Sequence, residues 1–250
     1  IGITAHVGPV IGAQGVAGSR RNTRPTLDSR LTPSHARWLH CEDLLRKRYP
    51  KQGALGALGL ERSKHRELSD ESLHFPVLDL KSKNEKSLCF FHRHEARAAE
   101  AGHFHLFQQH RPNDVHLVAI ALDWQGRPSR VFSVNRWVTG EAWMPASQTW
   151  THFKRWRIRE PRRWDHALRD ALALPPEAQD LALIGLWLEA LIASLENPIK
   201  DCLRARDQTL SDWIDRKPGV NVLEDQSLDV LSNIRLASGI RQLSHRQSQN

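Results

Sequence analysis

The residue pattern predicts an α+β fold: a central antiparallel sheet of about four to five strands, with an N-terminal helix and a C-terminal set of three helices. Three observations predict it. Alternation of apolar and polar side chains is confined to residues 87–137, helical periodicity takes over beyond Gln148, and strands and helices therefore segregate along the chain instead of alternating.

Residues 1–31 are rich in Gly, Ala, Arg, Thr and Ser with no sustained period, and are expected to be a disordered or mis-called tail. A single domain is expected over residues 32–244, with a polar tail over 245–250. Thr32 or Ser34 caps the first helix, whose apolar stripe is Trp38, Leu39, Leu44 and Leu45 and which ends near Tyr49-Pro50. Residues 51–86 read as loop, with one short apolar piece from Phe75 to Leu80. Strands follow at Ser87–Glu95, His103–Gln108 and His116–Asp123, the last almost wholly apolar and so buried on both faces. A turn at Trp124–Pro128 returns the chain along Arg130–Trp137 as a hairpin.

Pro175-Pro176 then opens a helix carrying Leu181, Ile184, Leu188, Leu191, Ile192 and Leu195. Asn197-Pro198 opens another with Ile199, Cys202, Leu203, Leu210, Trp213 and Ile214, closed by Lys217-Pro218-Gly219. Leu228, Leu231, Ile234 and Leu243 suggest a final helix.

The bulk properties narrow the function classes. The formal charge of +8 raises the prospect of a nucleic-acid partner, but Arg20, Arg21, Arg24 and Arg30 lie in the tail, and much of the remainder clusters between Lys154 and Arg163. No apolar run approaches the ~18–20 residues of a membrane span. Cys41, Cys89 and Cys202 are scattered without CxxC spacing, which argues against a disulfide framework or a thiolate zinc site and favours a reducing, cytoplasmic setting.

The chemistry concentrates between Phe90 and Phe107. Two His-x-His pairs, His92/His94 and His103/His105, each place both imidazoles on one face of a strand. Pairing of the two segments brings four imidazoles together, a donor set that suits a divalent metal, either zinc or non-haem iron. Glu100, in the connection, is a further ligand or the acid–base group, and Gly102 fits a tight re-entry into the second strand. Glu95 points away from His94 if the strand is regular. Structural histidines that only hydrogen-bond to each other are the competing explanation.

A second cluster is Asn135-Arg136-Trp137-Val138-Thr139-Gly140-Glu141, at the end of a strand. Asn135 and Arg136 are placed as substrate or anion contacts, Arg136 as a bidentate clamp, and Glu141 as a general base. The alternative there is a capped turn in which Arg136 pairs with Glu141. A third is the Lys154–Trp164 stretch, six basic residues and two tryptophans in eleven, which suits phosphates and stacked bases or else a packed segment with solvated arginines.

The His-x-His-Glu, Gly-His-Phe-His-x-Phe and Asn-Arg-Trp-Val-Thr-Gly-Glu-x-Trp motifs together resemble an uncharacterised bacterial domain family. The resemblance covers about Arg37 to Leu243, is strongest between Phe90 and Trp143, and implies one domain with one site but no reaction. The sequence thus points to a histidine-rich metal-binding domain or a small metal-dependent oxidoreductase or hydrolase, with a small-molecule or peptide substrate. The alternatives are a nucleic-acid-binding or regulatory module acting through residues 154–164, and a structural domain with hydrogen-bonded histidines.

Overall fold

The computed structural model describes residues 32–60, 74–84, 86–93, 100–158 and 163–236. The expected tails, His94, Glu95 and Leu243 lie outside them. Within this set the chain runs α1 (Pro33–Arg48), α2 (Ala54–Ala57), β1 (His74–Lys81), β2 (Ser87–Arg93), β3 (Gly102–Gln108), β4 (Val115–Leu122) and β5 (Pro128–Val134). It continues through α3 (Arg136–Thr139), α4 (Ala146–Arg155), α5 (Trp164–Leu172), α6 (Pro176–Ser194) and α7 (Glu196–Arg216) to a 3₁₀ turn at Val222–Glu224 and β6 (Val230–Arg235). The fold is α+β, and the six described strands form one antiparallel meander in the order β1-β2-β3-β4-β5-β6.

Two of the expected elements are corrected. The Phe75–Leu80 piece is part of an edge strand, β1, which pairs with β2 through an irregular register. The segment read as a last helix is β6, paired with β5 at the other edge. Leu231 and Ile234 are spaced like helix neighbours, but the free edge of β5 offers a ladder of backbone partners, and tertiary pairing overrides so short a periodic signal. The Ser133 and Ser232 hydroxyls, 2.8 Å apart, fasten that edge, and the Cys202 thiol of α7 lies 3.1 Å from Ser232.

The helices cover one face of the sheet. Cys89, Phe91, Phe104, Leu106, Ile120, Leu122 and Val131 belong to the main core together with Trp38, Leu45, Trp187 and Leu191. Thr32 caps α1 by accepting from the His35 N–H, and Trp38, Leu39 and Leu45 are buried as the stripe predicts. Helix α6 is buried around more of its circumference than one stripe, because it packs against α1 and α5 as well as facing the sheet. Glu42 enters this core to accept the Trp187 indole N–H at 2.6 Å and to pair with Arg46. No single described helix is long and apolar enough to cross a membrane.

Gly102 opens β3 at φ 150°, where a Cβ would lie 2.1 Å from the His92 carbonyl oxygen. Only glycine lets β3 start close against β2, and this approach sets the register of the histidines.

Candidate metal centre

The register aligns the histidines across strands. His74 faces His92, His92 faces His103, and His103 faces Ala121, which in turn faces Arg130. The adjacent row is Phe90, His105, Ala119 and Phe132. All lie on the face opposite the main core, where Ala119, Ala121 and Phe132 form a separate small apolar cluster.

His116 joins this face through a bulge. Leu106 faces Val118 but Phe107 faces His116, so Leu117 is one residue extra in β4. Strict alternation from Ala119 and Ala121 would send His116 into the helix-side core. The inserted residue reverses that and puts it beside Phe107, with ring centroids 5.1 Å apart.

The rings touch. His103 Nε2 lies 2.9 Å from His105 Nε2, and His105 Nδ1 lies 3.0 Å from His116 Nε2. His103 Nδ1 is 3.5 Å from Glu100 Oε1, and both Glu100 oxygens accept from Arg130 at 2.8 Å. Each nitrogen–nitrogen contact needs one N–H and one lone pair. Neutral rings satisfy both nitrogen–nitrogen contacts when His105 donates Nε2–H to His103 and His116 donates Nε2–H to His105, which leaves His103 Nδ1–H facing the Glu100 carboxylate at 3.5 Å.

Electrostatics favour the neutral forms of His105 and His116. His105 is held well below the ordinary histidine value, first by burial and then by His116, His103 and the other neighbouring imidazoles. Burial, with Arg206 and His103 nearby, brings His116 down to about 3. Burial opposes ionisation of Glu100, but hydrogen bonds from His103 and Arg130 and the Arg130 charge outweigh it and bring the carboxyl to about 2. Glu100 is therefore an anchored carboxylate.

Of the expected site residues, His92, His103, His105 and Glu100 come together; His94 lies outside the described residues. His74, His116 and Arg130 are additions. Asn135 stands away from the imidazoles, and Arg136 meets the group only at a cavity it lines with His116. Asn135 is fully buried, caps α3 through the Arg136 N–H at 2.8 Å and donates to the Val222 carbonyl at 2.8 Å. Arg136 pairs with Glu224, not Glu141. The Trp137 indole donates to Leu228 O at 3.1 Å, so this motif secures the connection that leads into β6.

Glu141 keeps a chemical character. Burial, helped by Asp114, raises it to about 7, and among the described residues its Oε2 is enclosed without a hydrogen-bond partner. On one side it lines a cavity of about 20 Å³ with His116, Arg136 and Arg206, room for one water. On the other it lines an open groove of about 350 Å³ with Asp114, Phe90 and Phe107, the two rings that flank His105.

The donors suit a metal in type, and two of them approach each other closely. Imidazoles without thiolate suit zinc or non-haem iron. The two facing Nε2 atoms are within the span of two ligands that each stand ~2.0–2.1 Å from one ion. The His92 ring lies 5.4 Å from that of His103 and 6.5 Å from that of His105. Among the described residues no three His, Cys, Asp or Glu side chains already surround one point, so a closed cage is not preformed.

The basic stretch divides between core and surface. Trp156 is buried and its indole donates to Phe107 O at 3.0 Å, whereas Lys154, Arg155 and Arg157 are exposed. Residues 159–162 lie outside the described set.

No curated protein and no solved structure matches the chain. A family model, that of a domain of unknown function (DUF6969), matches residues 60–236, a span that contains all six strands, the histidine face and the Asn135–Glu141 motif. The chain belongs to the DUF6969 family.

Proposed function

We propose that this domain binds a divalent transition-metal ion, zinc or iron, through His103 and His105, with His92 as the neighbouring imidazole. The observation that carries the reading is the 2.9 Å approach of the two Nε2 atoms, with the His105 imidazole held well below the ordinary histidine value by burial. Holding an ion there would displace the proton those atoms share and require both rings to turn so that their Nε2 lone pairs converge on one centre. Glu100 supports it from behind: a carboxylate 3.5 Å from His103 Nδ1 favours the tautomer with Nδ1–H, whose Nε2 carries the lone pair. Arg130 holds that carboxylate in place.

A bound ion supplies Lewis-acid activation of water if it is zinc, or oxygen-dependent chemistry if it is iron. The groove beside Phe90 and Phe107 has a volume suited to a small molecule, and Glu141 at its end is positioned as an acid–base group for whatever occupies it.

The second reading is that the histidines form a purely structural hydrogen-bonded stack, favoured by the 3.0 Å contact of His105 with His116. Calorimetric titration of tag-free, chelator-treated protein with zinc and with iron(II) separates the two. Metal binding requires about one equivalent, abolished in His103→Gln/His105→Gln and retained in His110→Ala, a residue beyond the end of β3 whose ring packs on His152. Folded protein that takes up no stoichiometric metal leaves the structural reading.

A further inference from the structure

A pocket of about 350 Å³ opens between the start of α1, α4, the start of α5 and the last turns of α6, away from the histidine face. Its volume falls at the small end of the range that holds small ligands. Indole rings line it: Trp150 and Trp164 are half-buried there, and Trp156 is buried at its floor. Arg37, Lys154 and Arg157 also line it. No carboxylate pairs with any of these three cations among the described residues.

The acids nearby are already engaged. Glu196 holds Lys200 at 2.6 Å, and Glu189 accepts the Ile158 N–H at 2.8 Å. Ser34, in the first turn of α1, lies on the wall, and that turn contains no acidic residue. Arg37 is stacked over Trp164, its guanidinium carbon 5.5 Å from the ring centroid, which keeps a cation and an aromatic surface side by side.

We propose that this pocket binds a planar aromatic anion, its ring beside Trp164 and its phosphate or carboxylate among Arg37, Lys154 and Arg157, with Trp150, covered by Lys200 and stacked on Phe153, closing the wall. Aromatic rings gain from indole contact, and cations without a carboxylate partner favour an oxyanion; neither feature alone selects the ligand, but their adjacency does. Arg37 and Lys154 are exposed, so substituting them leaves the core untouched.

Titration calorimetry at low ionic strength tests this with adenosine monophosphate, 4-hydroxybenzoate, adenosine and inorganic phosphate. Saturable binding is expected for at least one of the first two, with adenosine and phosphate each weaker by about tenfold or more, and a similar loss in Lys154→Glu and Arg37→Ala. Preference for the nucleotide or for the carboxylate identifies which source supplies the ligand. The proposal is overturned if neither aromatic anion binds, if phosphate alone binds as well as they do, or if both variants bind normally. A single-stranded oligonucleotide that binds where both small anions fail also overturns it, in favour of an extended nucleic-acid surface.

Discussion

His103 and His105, two residues apart on β3, point their Nε2 atoms at each other across 2.9 Å. Two like groups at that separation are stable only when they differ in protonation, so the tautomers along Glu100–His103–His105–His116 are set as a series. In metal-free protein, nitrogen NMR is expected to find His103 protonated at Nδ1, and His105 and His116 protonated at Nε2. Zinc should move the His105 and His116 protons to Nδ1. His105 protonated at Nδ1 before any metal is added would break this order.

Glu100→Gln removes the anion that Arg130 grips at 2.8 Å with two nitrogens. Both side chains are largely enclosed, and an Arg left without its partner in such a setting costs about 2 kcal/mol. Urea unfolding at pH 7 measures the loss. Because the folded carboxyl titrates near 2 and the free one near 4.5, the contribution is present above pH 4.5 and shrinks toward pH 2, where variant and parent should converge.

The buried imidazoles set the acid limb of the stability profile. His105 and His116 titrate below 6.5 when folded, so the unfolded chain binds more protons as pH drops under that value, and stability falls with it. For His116 the loss continues to about pH 3, at up to ~1.4 kcal/mol per pH unit per group. His116→Gln should flatten this limb in urea titrations between pH 6.5 and 4. Glu141 acts in the opposite sense: its folded value near 7 lies above 4.5, so its contribution is present below pH 4.5 and lost as pH rises through 7. Glu141→Gln should therefore raise the unfolding midpoint at pH 8, and a lowered midpoint there contradicts the assigned burial.

The pairing of β2 with β3 was legible because both His-x-His pairs keep a strict period of two, and Gly102 marks where the second strand must approach the first. His116 was not legible as a site residue, since its face depends on the extra Leu117, and a bulge leaves no mark in an apolar run. Arg130 and Glu100 are thirty positions apart, and their pairing depends on a third strand lying between β3 and β5. The Asn135-Arg136-Trp137 group looked like a site because it gathers polar side chains at a strand end. In the fold those groups hold the residues leading to β6, an element whose own short pattern has helical spacing.

Anomalous diffraction at the zinc edge, on crystals grown from protein loaded with one equivalent of zinc, tests the central claim most directly. The account predicts one peak at ~2.0–2.1 Å from Nε2 of both His103 and His105. A peak bound elsewhere, or none beside these rings in well-ordered crystals, contradicts it.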